Sequence, residues 1–138
     1  MKNTKEKYRS EQVARMQTCL PHLRLITKLS KEQFAERTGL HIVDVEGLEN
    51  RTRLITRSDY LALRFLFLEM SRHNTYIRRA MVELLNAEKS EGEVCVTIMT
   101  IAGLVNCGKD KETIDRMIDE ALGKCDEYPS PTLNDWLG

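Results

Sequence analysis

Lys28, Lys31, Arg37, Arg51, Arg53 and Arg57 fall within one stretch of the chain, residues 28–57, and cationic groups gathered in this way can neutralise phosphates. Nothing comparable offers covalent or acid–base chemistry. An enzyme would need a nucleophile beside a base, a paired-carboxylate cleft, a metal set or a phosphate-cradling glycine loop, and none can be picked out. Asp115, Asp119 and Glu120 share one stretch of a predicted helix, where a solvated face is the expectation. Cys19, Cys95, Cys107 and Cys125 are widely spaced without a CxxC, and His22, His41 and His73 stand near none of them, so no zinc spacing exists. The expectation is a protein that is not an enzyme, with no cofactor and no metal.

Charge is distributed unevenly along the chain. The 138 residues carry 21 basic and 21 acidic side chains, a formal net charge of zero. Residues 1–80 hold 16 Lys and Arg against 9 Asp and Glu, whereas residues 81–138 hold 5 against 12. A polyanion should therefore meet the first half. The acidic half either keeps the protein soluble or acts as a shield or partner surface. This length suits one ordinary domain, or a small helical domain whose core is shared by a helical appendage. The division expected is a basic region over 1–73, which would meet DNA, and an acidic helical extension over 74–138 that supplies a dimerisation or partner surface. No charged-then-apolar leader and no apolar run near the roughly 18 residues of a membrane span is found, so a cytoplasmic protein with no membrane partner is expected.

The elements that must position the cations are helical. Residues 1–9 are polar and should fray, Ser10 could cap a helix through Val13, Met16 and Leu20, and Pro21 implies either a bend or a new helix capped by Thr18. Ser30 with Gln33 forms a capping box, Phe34 and Ala35 face inward, and Gly39 ends that helix with a left-handed residue. Leu40, Val45 and Leu48 fall on one side of a second short helix and leave Ile42, Val43, Asp44 and Gly47 pointing elsewhere. Thr56 and Asp59 cap a helix so rich in apolar groups (Tyr60, Leu61, Leu63, Leu66, Phe67, Met70) that it should be central. Asn74 starts another, running to about Glu88. Residues 94–107 favour a strand by β-branched content, but the Ser90 cap and the Val94, Ile98, Ile101, Ala102, Val105 stripe predict a helix. Asp110 caps a last amphipathic helix through Ile114, Met117, Ile118, Ala121 and Leu122. The tail beyond Asp126 should be irregular, with Leu133, Trp136 and Leu137 docked on the domain or a second subunit. The chain reads as all-α, with seven or eight helices.

Two short helices joined by a glycine turn are the geometry that places a second helix in a DNA major groove. From about Leu20 to Met70, the residues Leu23-Arg24, Leu29-Ser30-Lys31-Glu32-Gln33-Phe34-Ala35-Glu36, Gly39-Leu40, Val45, Leu48 and Glu49-Asn50 resemble the Xre/Cro-type helix-turn-helix regulators. The resemblance implies a lambda-repressor-like helix-turn-helix bundle, here with additional carboxyl-terminal helices. It implies that Lys31 touches phosphate or the groove, that His41, Ile42, Val43, Asp44 and Gly47 occupy base-reading places, that Arg51 and Arg53 grip backbone phosphate, and that Arg24 and Glu49 form a structural ion pair. The family commonly presents Gln, Arg, Ser or Asn for reading, whereas this helix presents two aliphatic groups, an acid and a glycine. Two functions follow as expectations. One is a sequence-specific DNA-binding transcriptional regulator, a homodimer on double-stranded DNA, with the recognition helix over about 41–50 in the major groove. The other is a degenerate helix-turn-helix whose Ile42/Val43 face binds a protein partner.

Overall fold

The computed structural model describes residues 4–129, with side chains from Glu11 onward. Seven helices and no strand are found among the described residues: α1 (Thr4–Thr27), α2 (Lys31–Thr38), α3 (Ile42–Asn50), α4 (Arg57–Met70), α5 (Thr75–Leu84), α6 (Glu91–Val105) and α7 (Lys111–Leu122). Leu133, Trp136 and Leu137, expected to dock on the domain or a second subunit, lie outside the described residues. Side-chain caps set most of the starts. Ser30 Oγ accepts from the Gln33 amide at 3.1 Å while Gln33 Oε1 accepts from the Ser30 amide at 2.9 Å, and Thr56 and Asp59 repeat this exchange at α4. Asn74, Ser90 and Asp110 cap α5, α6 and α7. Each such cap contributes about 1 kcal/mol.

Helix α1 starts earlier than Ser10 and is not divided by a new helix at Pro21. It begins at Thr4, so Ser10 stands inside the helix, and residues 4–9 are helical because Lys, Glu, Tyr and Arg oppose a helix only weakly. It also runs through Pro21 without a break, and Thr18 is not a cap. Pro21 cannot donate to the Gln17 carbonyl, a loss of about 3 kcal/mol in an isolated helix. Packing outweighs it. Met16, Cys19, Leu20, Leu23 and Ile26 on α1 are all buried, and the buried stripe of α6 (Val94, Ile98, Ile101, Ala102, Val105) joins them in one core. The strand propensity of residues 94–101 is thus overruled by helical packing of the apolar stripe.

The halves of the chain share this core. Helix α1 packs on α3 and α4 and, far along the chain, on α5 and α6. Phe34 of α2 and Phe67 of α4 meet with ring centroids 5.8 Å apart, an aromatic pair worth about 1 kcal/mol beyond its burial. Arg64 of α4 is almost wholly buried, with Nη1 donating to the Tyr60 hydroxyl at 3.1 Å. Helix α5 stops at Leu84, short of the expected Glu88, because Asn86 turns the chain by accepting the Glu88 amide and Arg15 donates to the carbonyls of Asn86 and Lys89. At the far end, Arg79 donates to the Leu122 and Gly123 carbonyls at 3.0 and 2.9 Å and so closes α7 onto α5.

Tyr76 also joins α5 to α7, donating to Asp115 Oδ1 at 2.7 Å, while Lys111 holds Oδ2 at 2.7 Å. Burial, and then the Asp115 carboxylate, push the phenol up to about 12. The Lys111 ammonium and the Tyr76 hydroxyl hold Asp115 below the usual carboxylate range. The neutral phenol is the partnered form, so its contribution is complete below the ordinary tyrosine pKa and is lost as pH rises through about 12. Tyr76→Phe is expected to remove one ionisation near pH 12 from the ultraviolet titration. Loss of a step near pH 10 instead would show that the contact does not persist in solution.

Candidate nucleic-acid interface

Helices α2 and α3 are joined by Gly39, Leu40 and His41. Gly39 takes φ +78° and donates its amide to the Ala35 carbonyl at 2.9 Å, a conformation that a side chain would strain. Phe34, Ala35, Val45 and Leu48 are drawn inward, which turns the opposite side of α3 to solvent. His41 is the residue before the helix, exposed and making no side-chain cap bond, and Val43 is 72% exposed.

Two residues expected on that outward side are not there. Gly47 is buried, because the chain leaving α3 folds back over it: the Arg53 amide donates to the Gly47 carbonyl at 3.1 Å, and a Cβ on Gly47 would stand 3.1 Å from Arg53 Cβ. Ile42 is half-buried against the core. Asp44 remains at the surface but is not a bare charge, since Arg53 Nη1 lies 3.1 Å from its Oδ1. The same guanidinium donates through Nη2 to both carboxylate oxygens of buried Asp59 at 3.0 Å. Arg53 therefore ties α3 to α4 and is not an unengaged cation.

Arg51 follows α3 in the left-handed region, φ +65°, and its Nη2 donates to Thr18 Oγ1 at 3.0 Å. Thr18 in turn donates to Glu91 at the start of α6, at 2.5 Å. Behind this chain lies a groove lined by Val13, Thr18, Leu54 and Ile55, with Arg51 and Glu91 on its walls. Arg24 meets Glu49 in a bidentate pair, Nε to Oε2 at 2.7 Å and Nη2 to Oε1 at 3.1 Å, and donates also to the Leu29 carbonyl. One guanidinium thus fastens the end of α3 and the turn before α2 to α1.

Among the described residues, Lys28, Lys31, Arg37, Arg51 and Arg57 have no carboxylate within ion-pair distance, in contrast to Arg24, Arg53 and Arg79. Lys31 is half-buried and the other four are exposed. These cations stand before α2, along it, after α3 and at the start of α4.

The residue that fixes this arrangement was not visible as functional in the sequence. Gln17, buried on α1, donates through Nε2 to the carbonyls of Leu48 (3.2 Å) and Arg53 (2.7 Å) and accepts the Ile55 amide at 3.1 Å. It anchors the whole segment between α3 and α4. One signal was available, since Gln17 follows Val13 by four residues and precedes Leu20 by three, on the inward side of the helix.

Among the described residues no group of three or more His, Cys, Asp or Glu side chains could hold a metal ion, and no helix is long and apolar enough to cross a membrane. Comparison of the chain with protein-family models, with curated proteins and with solved structures gives no match.

Proposed function

We propose that the chain is a sequence-specific DNA-binding transcriptional regulator of the Xre type, its α2–α3 pair forming a lambda-repressor-like helix-turn-helix with α3 in the major groove. The observation that carries this reading is the division among the cations. Arg24, Arg53 and Arg79 are consumed by structural pairs, while Lys28, Lys31, Arg37, Arg51 and Arg57, in the segments bordering α3, have no carboxylate partner. Cations of that kind are what phosphate contacts need, and phosphate contacts provide much of the affinity even in specific complexes. His41 and Val43 are the groups free to meet bases: an imidazole that donates or accepts, and an apolar surface suited to a thymine methyl. Asp44 enters the groove with its charge offset by Arg53, so the repulsion that a lone carboxylate would meet between phosphate ribbons is reduced.

The test is a salt series of binding to two labelled duplexes, one from the region upstream of the protein's own coding sequence and one scrambled. On this reading affinity falls steeply with salt and favours the upstream duplex. Arg51→Gly sharpens the result, because glycine accepts the left-handed backbone there. Its stability should be unchanged or higher by up to about 1 kcal/mol, while its DNA affinity falls and its salt slope drops by about one. An unchanged slope would remove Arg51 from the phosphate contacts.

A second reading, a helix-turn-helix that binds a protein chain, is favoured by one observation: Val43 and Leu54 are 72% and 83% exposed. Weak binding indifferent to sequence, with a flat salt dependence, would favour it over the first.

A further inference from the structure

Sulfur atoms from both halves of the chain gather where α1 packs on α6. Cys19 of α1 is wholly buried, and its thiol donates to the sulfur of half-buried Cys95 of α6. Cys95 in turn donates to Met99 Sδ, one turn further along α6, at 3.8 Å. The series runs from the core outward, since Met99 is 47% exposed. Cys107 and Cys125, by contrast, are an exposed and a half-buried thiol away from this contact.

The spacing is that of ligands. With metal–sulfur bonds of about 2.3 Å, three sulfurs around one ion stand about 4 Å apart. Cys95 and Met99 already keep such a distance, set by their i, i+4 placement on a helix whose buried stripe fixes it to α1. A thioether in the set selects the metal. Zinc closes its structural sites with four ligands drawn from thiolate, imidazole and carboxylate, whereas soft copper(I) takes thiolate and thioether together. Among the described residues no histidine or carboxylate joins the two thiols in a set that could hold a metal ion. Burial, and then Cys95, push the Cys19 thiol up to about 12, so it keeps its proton until a metal displaces it. Of the charged groups that act on Cys19, buried Arg15 favours the thiolate and exposed Glu91 opposes it.

We infer that Cys19, Cys95 and Met99 form a binding site for a soft monovalent cation, copper(I), at the contact of α1 with α6. The ion enters from the Met99 side, where the unbranched thioether swings aside. Cys95 and then Cys19 release their protons to solvent as their sulfurs ligate it. The oxidation state of the metal does not change, and two protons leave for one cation bound. The bound ion ties α1 to α6, so ligation stabilises the contact that joins the two halves of the chain. The inference does not depend on the DNA reading.

Anaerobic titration of the reduced full chain with copper(I), in competition with a chromophoric copper(I) chelator, tests it. The expected result is one equivalent bound per chain, with thiolate-to-copper charge-transfer absorption in the ultraviolet and a raised thermal midpoint. Replacing Cys107 and Cys125 with Ser should change none of these. Cys95→Ala should lower the affinity roughly a hundredfold and Met99→Leu roughly tenfold. Neither position is in the deep core, and an unchanged midpoint of the metal-free Met99→Leu chain shows that its fold remains. No binding by the parent chain would overturn the inference, as would an affinity indifferent to Cys95→Ala or one lost with Cys107 and Cys125. An affinity unaltered by Met99→Leu would overturn the three-sulfur set, and tighter binding of zinc(II) than of copper(I) would overturn the assignment of the metal.

Discussion

Gln17→Leu is expected to lower the stability of the protein by about 3 kcal/mol, because three backbone groups lose a partner that a leucine of similar size cannot replace. The Ile55 amide and the Leu48 carbonyl are the ones that matter most, since their bonds to Gln17 are buried, and each buried orphan costs roughly 1–3 kcal/mol. The Arg53 carbonyl lies closer to the surface and can recruit water. For a domain of this size the loss corresponds to a fall in Tm on the order of 10 °C. Calorimetry of the variant checks it, and a fall of only one or two degrees would mean that the segment between α3 and α4 is held by its apolar contacts alone. Leu54 and Ile55 should then show unaltered hydrogen exchange.

Glu49→Ala is expected to cost about 3 kcal/mol as well, for a different reason. Arg24 and Glu49 are both largely shielded, and removing one leaves the other charge without its partner. Replacing both, with Arg24→Met and Glu49→Leu, should recover most of the loss, since the charges no longer need mutual compensation and the methylenes remain. If the double variant is as unstable as the single one, the pair is holding geometry and not merely cancelling charge. The Arg24 bond to the Leu29 carbonyl gives that outcome a structural route, because it links the turn before α2 to the same guanidinium.

Much of the helical plan could be read from caps and periodicity. Ser30-Gln33, Thr56-Asp59, Asn74, Ser90 and Asp110 are local signals, acting over three or four residues, and local signals survive in a sequence. Pro21 was misleading for the complementary reason: its cost is local, but what outweighs it is the α6 surface arriving from the other end of the chain. The candidate interface followed the same rule. That α3 turns Val43 outward was legible from the inward Val45 and Leu48. That Gly47 is buried was not, because it depends on residues 51–53 folding back over the helix. The several duties of single side chains were equally hidden. Asp59 reads as a cap, but nothing local says that it shares Arg53 with Asp44, or that Gln17 spans two carbonyls and an amide at once. The cluster of cations was legible from the sequence, but that Arg53 is paired with Asp44 and Asp59, and so differs from its neighbours, was not.

The packing of α1 on α6 also has a temporal side. Between Thr27 and Val105 a ribosome adding about 5–20 residues per second takes on the order of ten seconds. Throughout that interval Met16, Cys19, Leu20 and Leu23 have been synthesised but lack the helix that covers them, so the basic half of the nascent chain must wait, with its apolar stripe open, for the acidic half to be made. Chaperone engagement of this chain should be heaviest before α6 emerges and should end soon after. A chain released at residue 73 would keep α2, α3 and every cation of the candidate interface, yet it would never acquire a finished core on which to hold them.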